Sequence, residues 1–179
     1  MRIIAGQLKR KSIRAPQGHL TRPTTDRTRE SLFHLVEARL ALREAEVLDL
    51  FAGTGALGLE AISRGARFVT FVENERRVMQ VARDNADTLD VSNQGRFVPG
   101  DAVHFLETYN GPPFDLIMAD PPYDLDAMDR LPDLALPHVR EGGLLTLEHD
   151  TRIFFDEHPH LDTSRPYGRT IVSVFRKST

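Results

Sequence analysis

Short apolar runs alternate with helix-length amphipathic segments along most of this chain. Val47–Phe51, Phe68–Val72, Arg96–Val98, Leu116–Ala119 and Leu144–Glu148 read as strands. Between them lie segments with helical spacing: Leu57–Arg64 ended by Gly65, Arg76–Leu89, Ala102–Thr108 and Met128–Leu136. Strands that alternate with helices predict βαβ units, and therefore a mostly parallel sheet with helices on both faces. Ahead of this pattern, Leu32, Phe33, Leu35, Val36 and Leu40 form an apolar helical stripe, which Thr24, Thr25 or Asp26 can cap. Ile3 to Ile13 alternates loosely around Gly6, the pattern of a short β-hairpin, and Pro16–Pro23 reads as a loop. At the other end, Thr170–Phe175 is a strand with no helix before it. The Pro166-Tyr167-Gly168 turn predicts that it pairs antiparallel, at or near an edge. The chain divides into an N-terminal arm, residues 1–20, and one α/β domain, residues 21–179.

Composition changes this picture in one respect. The 179 residues, 40% of them hydrophobic, suffice for a single core. No apolar run approaches the ~18 residues of a membrane span, and no export leader is read, so the cytoplasm is the expected compartment. The absence of cysteine excludes disulfides, thiolate metal sites and cysteine nucleophiles. The net charge of −3, however, hides an asymmetry: residues 1–30 carry +6 and the other 149 carry −9. A basic arm on an acidic body suits a protein that meets a polyanion with one face.

Ligands of an open parallel sheet bind beyond the carboxyl ends of its strands. The first strand runs into Asp49-Leu50-Phe51-Ala52-Gly53-Thr54-Gly55-Ala56-Leu57-Gly58, whose glycine spacing fits either a dinucleotide or S-adenosylmethionine. The second ends in Glu73, where a carboxylate can accept both ribose hydroxyls of an adenosine. The third ends near Asp101, which can accept from an adenine amine; dinucleotide sites have no special need of this third acid. After the fourth strand comes Asp120-Pro121-Pro122-Tyr123. Two prolines fix φ and remove two donors, so the segment is neither helix nor central strand. An exocyclic base amine is a poor nucleophile because its lone pair is delocalised into the ring. The Asp120 carboxylate and the Pro121 carbonyl can accept its two hydrogens and turn the lone pair toward an electrophilic methyl. Tyr123 can stack on the base, a contact worth roughly 1–3 kcal/mol.

These residues resemble the class I S-adenosylmethionine-dependent methyltransferases that act on amines. More narrowly, the chain is similar to the small-subunit (16S) ribosomal RNA guanine-N2 methyltransferase family known as RsmD. That likeness rests on Arg22-Pro23-Thr24-Thr25-Asp26-Arg27 leading into a helix, on Val47–Ala66, on Phe114-Asp115-Leu116 before Asp120, and on the opening Met1-Arg2-Ile3-Ile4-Ala5-Gly6. The resemblance implies a seven-stranded Rossmann-like sheet with an N-terminal β-hairpin extension and S-adenosylmethionine as cofactor. It implies cofactor contacts from Asp49, Phe51, Gly53, Thr54, Gly55, Glu73, Asp101, Ala102 and Thr25, and a target amine held by Asp120, Pro121, Pro122 and Tyr123. It implies RNA contacts from Lys9, Arg10, Lys11, Arg14, Arg22 and Arg27. The Arg22–Thr25 segment would close over the methionine portion of the cofactor or meet the RNA. Thr54 stands where the family often has serine, and keeps the hydroxyl. The partner is ribosomal RNA or the small subunit, the expected state is a monomer, and no metal is needed. His149, His158 and His160 fit no ligand spacing and read as surface histidines. Phe154–Arg165 matches least.

Several other functions share parts of this pattern. An adenine-N6 DNA methyltransferase uses a similar motif, but usually has a larger target-recognition region than an arm of about thirty residues. A protein glutamine methyltransferase has Asn at the position of Asp120. A nicotinamide-dependent oxidoreductase would leave Asp120–Tyr123 unexplained. A non-catalytic RNA-binding module would have no use for four intact strand ends.

Overall fold

The computed structural model describes residues 1–15 and 26–178. The Pro16–Pro23 loop, Thr24, the boundary near residue 20 and the site candidates Arg22 and Thr25 lie outside the described residues.

The alternating pattern folds as it predicts. In chain order the elements are α1 (Asp26–Glu37), β1 (Glu46–Leu50), α2 (Ala56–Ser63), β2 (Phe68–Glu73), α3 (Arg76–Thr88), β3 (Gly95–Pro99) and α4 (Ala102–Thr108). There follow β4 (Phe114–Ala119), α5 (Leu131–Ala135), β5 (Val139–His149), β6 (Leu161–Tyr167) and β7 (Thr170–Arg176). One seven-stranded sheet runs in the order β3-β2-β1-β4-β5-β7-β6. β1 to β5 are parallel, and β7 is antiparallel to both β5 and β6. Successive side chains of a strand point to opposite faces. Accordingly Val47, Leu116 and Met118 enter one core layer, with residues of α1, α2 and α3, while Leu48, Leu50 and Ile117 enter the other, with those of α4 and α5. Among the described residues no helix is long and apolar enough to cross a membrane.

Three features differ from the sequence pattern. The expected helix at Met128–Leu136 shrinks to Leu131–Ala135 and a 3-10 turn, because Pro132 has no N–H and its ring would clash with the carbonyl of Met128. A strand at Leu161–Tyr167 was hidden by Pro166. It forms the sheet's edge, where a missing N–H is tolerated, and β7 lies one place inward. His149 is buried rather than on the surface: its ring bonds Ser173 Oγ at 2.7 Å, and burial holds its basicity below the usual value. His158 and His160 are half-buried.

The arm pairs its two ends as the alternation predicts: Arg2 bridges Ser12, Ile3 N donates to the Lys11 carbonyl and Ile13 N to the Met1 carbonyl, both at 2.9 Å. Between these ends its donors turn to α2. Ile4 and Ala5 donate to the buried Glu60 carboxylate at 2.8 and 2.9 Å, Gln7 to the Ser63 carbonyl at 2.7 Å, and Leu8 to Ser63 Oγ at 2.9 Å. Gly6, at φ 80°, sits so close that an added Cβ would lie 1.8 Å from the Ser63 carbonyl oxygen. Ile3 and Ile13 are buried in the core, and the buried Arg29 of α1 donates to the Arg2 carbonyl at 2.5 Å.

Candidate active site

The strand order reverses between β1 and β4, and this is where a doubly wound sheet opens a crevice. Leu50 pairs with Ala119, so Phe51 and Asp120 leave adjacent strands at the same level. Above them lies a cleft of about 990 Å³.

One end of the cleft is built from the loops after β1, β2 and β3. Gly53 and Gly55 take φ values of 56° and 81°, and Phe51, without a glycine's freedom, also lies at φ 58°. The loop so formed is tight. A Cβ on Gly53 would meet nothing nearer than the Phe51 carbonyl oxygen at 4.0 Å, so its backbone faces open space. Gly58 works differently: a Cβ there would lie 2.2 Å from the Phe71 ring, which is how α2 packs down on β2. Glu73 ties the first two loops together, accepting from Gly53 N and Glu75 N, both at 2.9 Å. Each oxygen keeps a second lone pair for a ligand hydroxyl. Asp101 caps α4 through His104 N at 2.7 Å and lines the cleft with Ala102.

The other end is the Asp120–Tyr123 loop, all four residues of which line the cleft. Leu125 N closes a turn on the Pro122 carbonyl at 3.0 Å, and the Arg152 guanidinium donates to the Tyr123 carbonyl at 2.8 Å. No donor among the described residues reaches the Pro121 carbonyl, so it remains an acceptor beside the Asp120 carboxylate. The Tyr123 hydroxyl meets Thr170 Oγ1 at 2.7 Å.

The structure therefore brings Phe51, Gly53, Thr54, Glu73, Asp101 and Ala102 into one cleft with Asp120–Tyr123, and Arg27 onto its wall. Two expected cofactor contacts are not on that wall. Gly55 packs toward Ala82 and Phe71. Asp49 lies beneath the loop, 1% exposed, accepting from Gly58 N at 2.8 Å; burial above all pushes its carboxyl up to about 8. Lys9, Arg10, Lys11 and Arg14 are exposed away from the cleft lining, with Arg14 3.5 Å from Asp84.

Other wall residues escaped the sequence reading. Glu148, buried at the end of β5, answers to the same strand-end rule as Glu73 and could have been found by it. Arg29 shares the helical face of Leu32, Phe33 and Val36, a signal that it is buried. Pro166, Tyr167, Gly168 and Thr170 come from the β6–β7 hairpin, and nothing in their local sequence pointed to the cleft.

Comparison with known proteins gives this arrangement its family. The family model described as conserved hypothetical protein 95 matches residues 1–176. The chain belongs to that family. It is the RsmD methyltransferase family that the motifs resemble. YlbH of Bacillus subtilis, provisionally named an rRNA methyltransferase, is 32% identical over 184 residues, which cover 99% of each chain. The ribosomal RNA small subunit methyltransferase D of Escherichia coli is 42% identical over 123 residues. That match covers 69% of this chain and 60% of the Escherichia coli protein. Among solved structures, yhhF from Escherichia coli, provisionally named a methyltransferase, superposes with a TM-score of 0.87 at 31% identity, covering 99% of this chain and 98% of that one. The Rossmann-like fold with antiparallel last strands is that of these methyltransferases.

Proposed function

We propose that this member of the family transfers a methyl group from S-adenosylmethionine to the exocyclic N2 amine of a guanine in small-subunit ribosomal RNA. One observation carries the reading: Asp120–Tyr123 shares a single cleft with Phe51, Gly53, Glu73 and Asp101, and the two groups leave neighbouring strands at matching registers. A base-gripping loop beside an adenosine-binding edge has an economical explanation in transfer between the two. The names of the relatives support ribosomal RNA as the substrate, and the family resemblance supports guanine N2.

The residues fit the cofactor. The open face of Gly53 leaves room for a ligand against the backbone, Glu73 has lone pairs for two ribose hydroxyls, and Asp101 has a carboxylate for the adenine amine. Phe51, Val72, Ala102 and Leu125 supply apolar wall. When bound, S-adenosylmethionine supplies a methyl group on a positively charged sulfur, which a nitrogen lone pair can take up while the C–S bond breaks. The protein's part is orientation. The Asp120 carboxylate and the Pro121 carbonyl accept the two amine hydrogens, which favours a pyramidal nitrogen. The diproline holds these acceptors still, since its φ angles are fixed. Tyr123 stacks on the base. The nitrogen's surplus proton, acidic only after the new bond has formed, passes to Asp120. A base stacked in a helix cannot reach this edge, so the target is unstacked or lies in a loop. Lys9, Arg10, Lys11, Arg14 and Arg27 would contact phosphates.

The test is to incubate the protein with S-adenosylmethionine carrying a labelled methyl and with small-subunit RNA, free or assembled, and to identify labelled nucleosides by mass spectrometry. N2-methylguanosine is expected. N6-methyladenosine would replace this reading by the adenine one, and no labelled nucleoside from either substrate would end it.

A further inference from the structure

Tyr123 is tied to two residues that are remote in the chain and have no place in the transfer step itself. Its hydroxyl meets Thr170 Oγ1 at 2.7 Å across 47 residues, and its carbonyl accepts from Arg152 Nη2 at 2.8 Å across 29. Thr170 is the first residue of β7, 8% exposed and itself on the cleft wall. Arg152 follows the end of β5 and also binds the Asp150 carboxylate at 2.6 Å.

A phenol hydroxyl lies on the axis about which its ring flips. A bond there does not hinder flipping; it fixes where the ring stands, by confining the Cα–Cβ rotamer to one of its staggered wells. The diproline before Tyr123 fixes the backbone of the loop but not this rotamer. Thr170 is well placed to do so, because β7 is held between β5 and β6 and cannot drift.

We infer that Thr170 is a positioning residue for methyl transfer. It holds the Tyr123 ring at the place where the target base stacks, so that the ring is ordered before the nucleic acid arrives. Arg152 holds the same residue at its carbonyl, where an exposed guanidinium contributes less. The segment that completes the target side of the cleft is thus the C-terminal strand and the connector before it. This inference rests on reading Asp120–Tyr123 as the base-holding loop.

The two ends of one hydrogen bond can be removed separately. Thr170→Val keeps the β-branched shape suited to a strand, and Tyr123→Phe keeps the stacking face. Initial rates on small-subunit RNA are measured together with calorimetric affinity for S-adenosylmethionine and the melting temperature. Each single variant is expected to lower kcat/KM for RNA about three- to tenfold, the range for freeing one side chain that must be ordered again on binding. The double variant should be no worse than either single one, because both remove the same bond. Thr170→Ser should restore most of the rate, and cofactor affinity should be unchanged throughout. Additive losses, or a wild-type rate for Thr170→Val, would overturn the inference; a general loosening of β7 would give additivity and a lower melting temperature. Tyr123→Ala separates the two levels. If it loses activity while Thr170→Val does not, the base-holding loop stands and Thr170 has no part in it. If Tyr123→Ala is itself fully active, the base-holding reading fails and this inference with it.

Discussion

The two ends of the cleft are built in different ways. At the cofactor end Glu73 and Asp101 are fixed by backbone N–H groups: Glu73 by Glu75 N, two residues away, and by Gly53 N of the loop that opens the preceding helix, and Asp101 by His104 N, three away. At the target end Tyr123 is fixed by side chains 29 and 47 residues later. The first construction comes with the βαβ unit itself, since each strand delivers its own loop and the next helix caps it. The second needs the finished sheet, because β7 must be in place beside β5 before Thr170 can reach Tyr123. One end is thus built within successive βα units, and the other is assembled across the fold.

If this division is right, substitutions at the two ends should fail in different ways. The largest effect is expected from Asp120→Ala, which in the proposed mechanism removes one of the two acceptors for the amine. The rate constant for transfer should fall about 10²- to 10³-fold, as when a preorganised electrostatic group is lost, while calorimetry shows undiminished affinity for S-adenosylmethionine. Full turnover would remove Asp120 from the chemistry. Next is Glu73→Ala. Losing hydrogen bonds to a charged group should weaken S-adenosylmethionine about ten- to a hundredfold, and saturating cofactor should restore the rate. A fall in kcat that saturation does not repair would mean that the ends are not separable.

The same division explains what could be read from the sequence. Gly53, Glu73, Asp101 and Asp120–Tyr123 all stand at strand ends, and hydrophobic periodicity locates strand ends. What could not be read were supports whose meaning depends on partners far along the chain. Thr170 looks like any strand threonine until β7 is laid beside β5. Pro166 disguised β6 as a turn, though at a sheet edge the missing N–H costs no ladder bond. The arm's alternation marks its hairpin, but not that Ile4, Ala5 and Leu8 at its tip donate to Glu60 and Ser63 of α2. Asp49 opens the glycine motif, where the pattern predicts a ligand contact, yet its side chain accepts from Gly58 N and is not part of the cleft wall.

A smaller effect is expected outside the cleft, and it bears on how far the target end extends. Lys9, Arg10 and Lys11 are exposed on an arm sewn to α2. If they meet phosphates, replacing them with glutamine should weaken RNA binding and leave S-adenosylmethionine affinity alone. For every phosphate that is no longer neutralised, the slope of log affinity against log salt should become shallower by about 0.7–0.9. An unchanged slope would confine RNA recognition to the cleft and its rim.

The last effect is on stability rather than on rate or binding, and it comes from Asp49, which lies at the boundary between the ends. Its strand pairs on one side with β2, which ends in Glu73, and on the other with β4, which leads to Asp120. Burial raises its carboxyl from an ordinary 3.8 to about 8; the fields of Asp120 and, less, of Glu73 add to this, and the Gly58 N–H opposes it. A carboxyl raised on folding holds its proton more tightly in the native state. Its contribution to stability is therefore complete below about 3.8 and is lost as pH climbs toward about 8. For one proton the slope in that window approaches about 1.4 kcal/mol per pH unit. Asp49→Asn cannot ionise, and urea midpoints taken from pH 4 to 8.5 should be flatter for it than for the wild type. Superimposable curves would show that Asp49 is ionised in the fold. The upper end of the window also reports on the two ends of the cleft. Asp120→Asn should lower it more than Glu73→Gln does, because the Asp120 charge acts on Asp49 the more strongly. The reverse order would mean that the buried acid beneath the glycine loop answers chiefly to the cofactor end.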